Sequence, residues 1–290
     1  MHIAKLLLPL AFALLLPATA LAAGLNVVAA ENFYGDVTRQ IGGSDVSVTS
    51  ILSDPETDPH LFETSASTAR AVSDATVIVY NGADYDPWMD KLLSASPNAD
   101  RATIVAADLI GAKSGDNPHL WYDPHTLPAV AKALAREFAK RDPDDATTFA
   151  ANLATFDGSL KPIDAEIASI KAAHAGIEVT ATEPVFGYMA SALGLDMLNY
   201  DFQVATMNDT EPSPSQVAGF ESSLKTGKAK ILFYNAQVTD DTTTRLLRLA
   251  KDAHVPVIGV TETEPEGKTI QTWFGGQLQE VSAALDALAK

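Results

Sequence analysis

Beyond residue 24, short apolar runs alternate with longer amphipathic stretches. Leu25–Ala29 (LNVVA), Val46–Ile51, Val77–Tyr80 (VIVY) and Thr103–Ala106 are brief, apolar and β-branched, without strict alternation. Strands buried on both faces read this way, so the runs predict a parallel sheet covered by helices. From Pro143 to His174 the period changes. Phe149, Leu153, Phe156, Leu160, Ile163, Ile167 and Ile170 recur in steps of three and four, which predicts an amphipathic helix of about seven turns or more. Pro162 is the place for any kink, and so long a helix reads as a strut between lobes. The alternation then restarts, with strands at Glu178–Thr182, Met197–Tyr200, Ile231–Tyr234 (ILFY) and Val257–Val260. Val185–Leu193, Leu246–Ala253 and Ile270–Leu288 read as helices, and no tandem repeat or flexible linker interrupts them. The predicted fold class is α/β, with two doubly wound parallel-sheet lobes joined by one long helix.

The first segment reads as an address label. Met1–Lys5 is basic, Leu6–Leu16 is almost wholly apolar, and Ala20-Leu21-Ala22 has the small-x-small form of a cleavage site. The apolar run is too short to span a bilayer, which takes about 20 residues. The expected division is therefore a signal peptide at 1–22, an N-terminal lobe at 23–142, the connecting helix at 143–174 and a C-terminal lobe at 175–290. The chain contains no cysteine, which excludes disulfides, thiol catalysis, Fe–S clusters and cysteine-based zinc sites. With no Cys after the cleavage site, the expected product has no lipid anchor there and is soluble in the periplasm. The formal charge of −17 leaves no excess cation to neutralise phosphates, which argues against a nucleic-acid or anionic-membrane partner.

Histidines are few: past the leader they are His60, His119, His125, His174 and His254. Two share one setting. Asp58-Pro59-His60-Leu61-Phe62 and Asn117-Pro118-His119-Leu120-Trp121 both read [D/N]-P-H-L-aromatic. Proline fixes its own φ and drives the residue before it to extended geometry, so each imidazole is presented from a stiff, non-helical turn. Stiff presentation suits a preorganised metal ligand. Both motifs follow predicted βα units, where open α/β sheets bind ligands. In the second half, strand Glu178–Thr182 runs straight into Glu183-Pro184, and Val257–Val260 ends at Thr261-Glu262-Thr263-Glu264. These acids are either further ligands or solvent-facing residues of an acidic chain.

Other features have plainer readings. His125, in Asp123-Pro124-His125, sits at a helix start and could also assist a metal site, while His174 and His254 suit helix C-termini. Gly267-Lys268-Thr269 imitates the tail of a P-loop, but Glu262 stands where the first glycine belongs. Tyr80, Tyr85, Trp88 and Trp121 read as core or cleft wall.

The order P-H-L-F-E, N-P-H-L-W-Y-D-P, V-T-A-T-E-P-V-F-G-Y, E-P-S-P at Glu211–Pro214 and V-I-G-V-T-E-T resembles the metal-specific (zinc/manganese) periplasmic solute-binding proteins of ABC importers. The resemblance runs in order from Leu25 to the C-terminus. It implies two lobes joined by a long helix, closing on one divalent ion in the interlobe cleft through two side chains from each lobe. Carried over, those side chains are His60, His119, Glu183 and Glu262, with Glu264 as a competitor for the fourth place. The third position is often His in zinc members and Glu in manganese members. The fourth is usually Asp, and the stretch Gly111–Asp116 lacks the His-rich loop common in zinc members. The implied function is a non-enzymatic receptor that carries one divalent metal ion per chain (Mn, Zn or Fe) to a membrane permease and its ATPase, acting as a monomer. Two imidazoles with two carboxylates, each free to bind through one oxygen or two, lean toward Mn²⁺ or Fe²⁺ relative to a three-imidazole set. The alternative is an exported metallohydrolase using the same His/Glu site, with Glu264 or His125 as base. Against that stand the absence of H-E-x-x-H and of a nucleophile elbow.

Overall fold

The runs read as strands all enter parallel sheets. The structure, a computed structural model, describes residues 24–54, 62–238 and 241–288. The expected signal peptide and His60 lie outside the described residues. Strands β1 (Leu25–Glu31), β2 (Val46–Leu52), β3 (Val77–Tyr80) and β4 (Ala102–Val105) pair in the order β2-β1-β3-β4. Strands β5 (Glu178–Ala181), β6 (Asp196–Leu198), β7 (Leu232–Asn235) and β8 (Val257–Val260) pair as β6-β5-β7-β8. All six pairings are parallel. Among the described residues, the first half carries α1 (Asn32–Gly42), α2 (Ala66–Asp74), α3 (Pro87–Ala95), α4 (Ala106–Ile110) and α5 (Thr126–Arg141). The long α6 (Ala146–His174) follows, and then α7 (Gly187–Ala192), α8 (Tyr200–Met207), α9 (Pro214–Lys225), α10 (Asp241–Asp252) and α11 (Ile270–Ala287).

Helix α6 forms where the apolar period demands it. Phe149, Phe156, Ile163, Ile167 and Ile170 are buried, with Pro162 inside the helix. Proline has no N–H to give the carbonyl of Gly158, so burial of the stripe must offset that lost bond. The stripe packs on α1, α5 and α11. The last helix thus returns to the strut, and one apolar core runs from Val27 and Val79 of the first sheet to Val179 and Phe233 of the second. Two expectations are corrected. Tyr200 opens α8 rather than closing a strand, because Asn199 before it sits in the left-handed region (φ 57°), ending the extended run at Leu198. The helix expected over Val185–Leu193 is broken into a 3-10 turn at Pro184–Phe186 and the short α7.

Both sheets share one strand order, so each has its topological switch point between its first and third strands, the usual place for a ligand. Glu31 ends β1 and Glu183 follows β5. Both stand in extended backbone immediately before a helical turn, and neither side chain caps it. Asn81 follows β3 and Asn235 ends β7. The two halves thus place a Glu and an Asn at matching corners.

In the first half that corner holds a buried acid pair. Glu31 and Asp86 are both excluded from solvent, and each carboxyl bears on the other's ionisation. Two buried carboxyl groups that feel each other hold one proton in preference to ionising together. Asp86 also accepts from the N–H groups of Asn81 (2.7 Å) and Gly82 (2.8 Å), so it carries the charge and Glu31 the proton. Burial, then the charge of Asp86, push the Glu31 carboxyl well above its ordinary range. Burial lifts Asp86 to about 7, against the lowering effect of the Gly82 and Asn81 bonds. The loop around Asp86 is strained to make those bonds, with Gly82, Ala83 and Asp84 all at positive φ.

A folded carboxyl held above its unfolded value binds a proton that the unfolded chain releases. That contribution is full below about pH 4.5 and is lost as pH rises through the folded values. The melting temperature of metal-free protein should therefore fall as pH rises from about 4.5 through about 7, and Glu31→Gln, which supplies a permanent donor to Asp86, should flatten that slope. Thermal unfolding at several pH values checks this; an unchanged slope would remove the pair as its source.

Candidate metal centre

His119 is positioned from three directions. Asn81 donates to the Pro118 carbonyl at 2.8 Å, fixing the loop from below. The Asn117 side-chain oxygen lies 2.7 Å from His119 Nδ1 and accepts the His119 backbone N–H at 3.2 Å. The ring then packs edge-on to Trp121 (5.3 Å) and Tyr85 (6.0 Å) and is wholly buried. An amide oxygen can only accept, so Nδ1 carries the hydrogen and Nε2 is the nitrogen presented for a second partner. That nitrogen lies 3.3 Å from Glu262 Oε2.

Glu262 and Glu183 come from the other half. Glu183 is held extended by the following Pro184, and Glu262 follows β8; both are buried. The Asn235 amide joins them, donating to Glu183 Oε2 at 2.8 Å and to Glu262 Oε1 at 2.6 Å. Hydrogen bonds knit the halves together beside each acid. Asn117 donates to the Pro184 carbonyl at 2.8 Å, Tyr188 to the Asn117 carbonyl at 2.9 Å, and Tyr122 to the Thr261 carbonyl at 3.1 Å. Gly187 permits the first contact, since a Cβ there would stand 2.9 Å from the Asn117 amide nitrogen.

The other expected residues go elsewhere. Glu264, two residues from Glu262, bonds through its main chain to the Asn32 side chain at 2.7 and 2.8 Å. Its side chain lines a separate cleft of about 420 Å³ with Arg39, Ser50 and Lys268. Burial, then the charge of Asp36, raise its carboxyl to about 8, with Arg39 opposing. His125 precedes α5, is 89 % exposed and bonds Asp123 at 2.8 Å. His174 pairs with Asp286 of α11 at 3.0 Å, and His254 is exposed at positive φ just past α10. Thr269, the apparent P-loop residue, caps α11 through a capping box with Thr272. The E-P-S-P segment is likewise a helix start, where Ser213 caps α9. Tyr80, Tyr85, Trp88 and Trp121 are buried, as expected.

Among the described residues, no three His, Cys, Asp or Glu side chains converge closely enough to hold a metal by themselves. The described part of the cluster is His119 facing Glu262, tied to Glu183 by Asn235. Sequence reading missed Asn81, Asn117, Asn235 and the Glu31–Asp86 pair. One signal was available: L-N-V-V-A-A-E-N and I-E-V-T-A-T-E-P place Glu at the same step after the first strand of each sheet. For the asparagines there was none, since an amide's role depends on which carboxylates meet it.

An imidazole nitrogen and a carboxylate oxygen 3.3 Å apart can share a proton or admit a cation, and nitrogen with carboxylate oxygen suits divalent first-row metals. The family model described as zinc-uptake complex component A, periplasmic, matches residues 27–284. An iron ABC transporter substrate-binding lipoprotein, MtsA of Streptococcus pyogenes serotype M1, is 24% identical over 284 residues, covering 92% of this chain and 89% of the relative. A manganese-binding lipoprotein, MntA of Halalkalibacterium halodurans, is 24% identical over 278 residues, with 92% and 89% covered. The solved structure of the periplasmic zinc-binding protein TroA from Treponema pallidum superimposes with a TM-score of 0.75 at 18% identity, covering 89% of this chain and 98% of that one. Its two-lobed likeness speaks for the fold, and the family match over nearly the whole described chain decides membership: this chain belongs to the zinc-uptake complex component A family.

Proposed function

We propose that this chain is a periplasmic receptor that takes up one divalent transition-metal cation (Mn²⁺, Zn²⁺ or Fe²⁺) and delivers it to an ABC importer's permease and ATPase. Its ligands are His60, His119, Glu183 and Glu262. The lobes are 23–142 and 175–290, joined through 143–174 after a leader at 1–22. The observation that carries the reading is the buried His119–Glu262 contact, its imidazole oriented by Asn117 and its carboxylate tied to Glu183 by Asn235. Burying those carboxylates without a positive partner is costly, and a dication repays both. The relatives support the cargo class, being named for iron and manganese. They are named lipoproteins, whereas this sequence holds no cysteine to carry such a lipid; the proposed receptor acts unanchored and as a monomer.

Neither base named for the hydrolase reading faces His119 and Glu262. Glu264 faces another cleft and His125 faces solvent. Four protein ligands would also leave a tetrahedral ion no water to activate. The family's naming for uptake and substrate binding supports a receptor that catalyses nothing.

Two measurements test the reading. His119→Ala and Glu262→Ala should each weaken metal binding at least ~10-fold, about 1.4 kcal/mol, in competitive titration. His254→Ala should leave it unchanged, and Glu264→Ala should cost far less than Glu262→Ala. Equal losses across all four would mean the wrong imidazole and the wrong acid. Binding must also displace protons from imidazole, ordinarily near pH 6.5, so affinity should fall steeply from about pH 7 to 5. Calorimetry that gives flat affinity over that range excludes a two-histidine site.

A further inference from the structure

Asn235 does more than fill space between acids. It is 1% exposed, and its orientation is dictated by chemistry: the amide oxygen accepts the Gln237 N–H at 3.1 Å, while the amide nitrogen faces two carboxylate oxygens. Turned over, it would set oxygen against oxygen on one side and N–H against N–H on the other. Its backbone is pinned as well, donating to Thr182 Oγ1 at 3.1 Å and standing opposite Val260 in the β7–β8 register. Gln237 completes the clamp, since its side-chain oxygen accepts the N–H groups of Glu262 (2.5 Å) and Thr263 (3.1 Å). The short segment Asn235–Gln237 thus holds Glu262 by main chain and carboxylate together.

The consequence falls on coordination. Glu183 Oε2 and Glu262 Oε1 each accept a charge-assisted bond from one rigid donor. A carboxylate binds a cation through both oxygens only if both can turn toward it. We infer that Asn235 sets the metal preference of the site, holding Glu183 and Glu262 to one-oxygen binding and so offering a cation a restricted set of oxygens. Such a set satisfies Zn²⁺, whereas a cation that wants more oxygens, such as Mn²⁺, is denied them. This inference rests on the proposed four-ligand receptor. It reverses the leaning drawn from residue types alone, which let each glutamate contribute two oxygens.

The test uses the purified, demetallated chain and its Asn235→Ala and Asn235→Ser variants. Zn²⁺ and Mn²⁺ are titrated in competition, and X-ray absorption counts the neighbours of each bound ion. Alanine removes the shared amide from both carboxylates and should lower the Zn²⁺/Mn²⁺ affinity ratio by about 10-fold, the scale on which residues that orient ligands act. The neighbours around Mn²⁺ should rise in number. Serine keeps one donor and should fall between alanine and wild type; should the alanine variant fail to fold, serine alone must still lower the ratio. A ratio within about twofold of wild type, with neighbour counts unchanged, overturns the inference while leaving the receptor standing. Wild type that takes up neither ion sinks the receptor reading, and this inference with it.

Discussion

Acid must be taken out of water here without a base to accompany it. Glu31, Asp36, Asp86, Glu183, Glu262 and Glu264 are all buried, and among the described residues no lysine or arginine is. An isolated buried carboxylate costs several kcal/mol, so each must be compensated, and the fold uses several devices to do it. Glu31 shares a proton with Asp86. Asp36 accepts from the Gln40 amide at 2.7 Å and the Ile270 N–H at 3.1 Å. Glu183 and Glu262 lean on the Asn235 amide. Hydrogen bonds orient a charge but do not cancel it, and the last pair also faces the His119 imidazole.

The same pair is wired to the contact between the lobes. Pro184, next to Glu183, accepts from Asn117, and Thr261, next to Glu262, accepts from Tyr122. Behind them an aromatic wall closes the gap: Tyr122 stacks on Phe274 at 5.4 Å and meets Phe186 edge-on at 5.3 Å. Burial raises the Tyr122 hydroxyl, with the Glu262 charge adding to it, so that hydroxyl stays a neutral donor to Thr261. A change in how the acids are satisfied is therefore felt one residue away, at bonds that cross between the halves.

Much of this was legible in the sequence. Val77–Tyr80 and Val257–Val260 are strands to the residue, because a β-branched run bounded by turns has little alternative. The α6 stripe was equally plain, because a period maintained over many turns averages out local exceptions such as Pro162. Tyr200 was misread because an aromatic next to an apolar run looks like strand, while the left-handed turn at Asn199 that ends it is only weakly encoded. His119 could be read because proline advertises a stiff turn before it. Choosing between Glu262 and Glu264 could not be done from spacing, since two residues apart in an extended loop leaves both able to reach a cleft. The structure separates them by a neighbour each: Asn235 for one, Asn32 for the other.

The matching corners of the two sheets account for the division of labour between histidine and acid. Each half puts Glu after its first strand and Asn after its third, but the neighbours differ. In the first half Asp86 lies beside Glu31, and the proton they share makes Glu31 neutral and no use to a cation. Asn81, relieved of a carboxylate, spends its amide on the Pro118 carbonyl and so holds the His119 loop. In the second half Glu262 arrives from the next strand, and Asn235 turns its amide on both glutamates. One duplicated corner therefore yields an imidazole platform on one side and a paired-carboxylate platform on the other. A cation placed between them would meet nitrogen from a loop that Asn81 holds and oxygen from carboxylates that Asn235 holds.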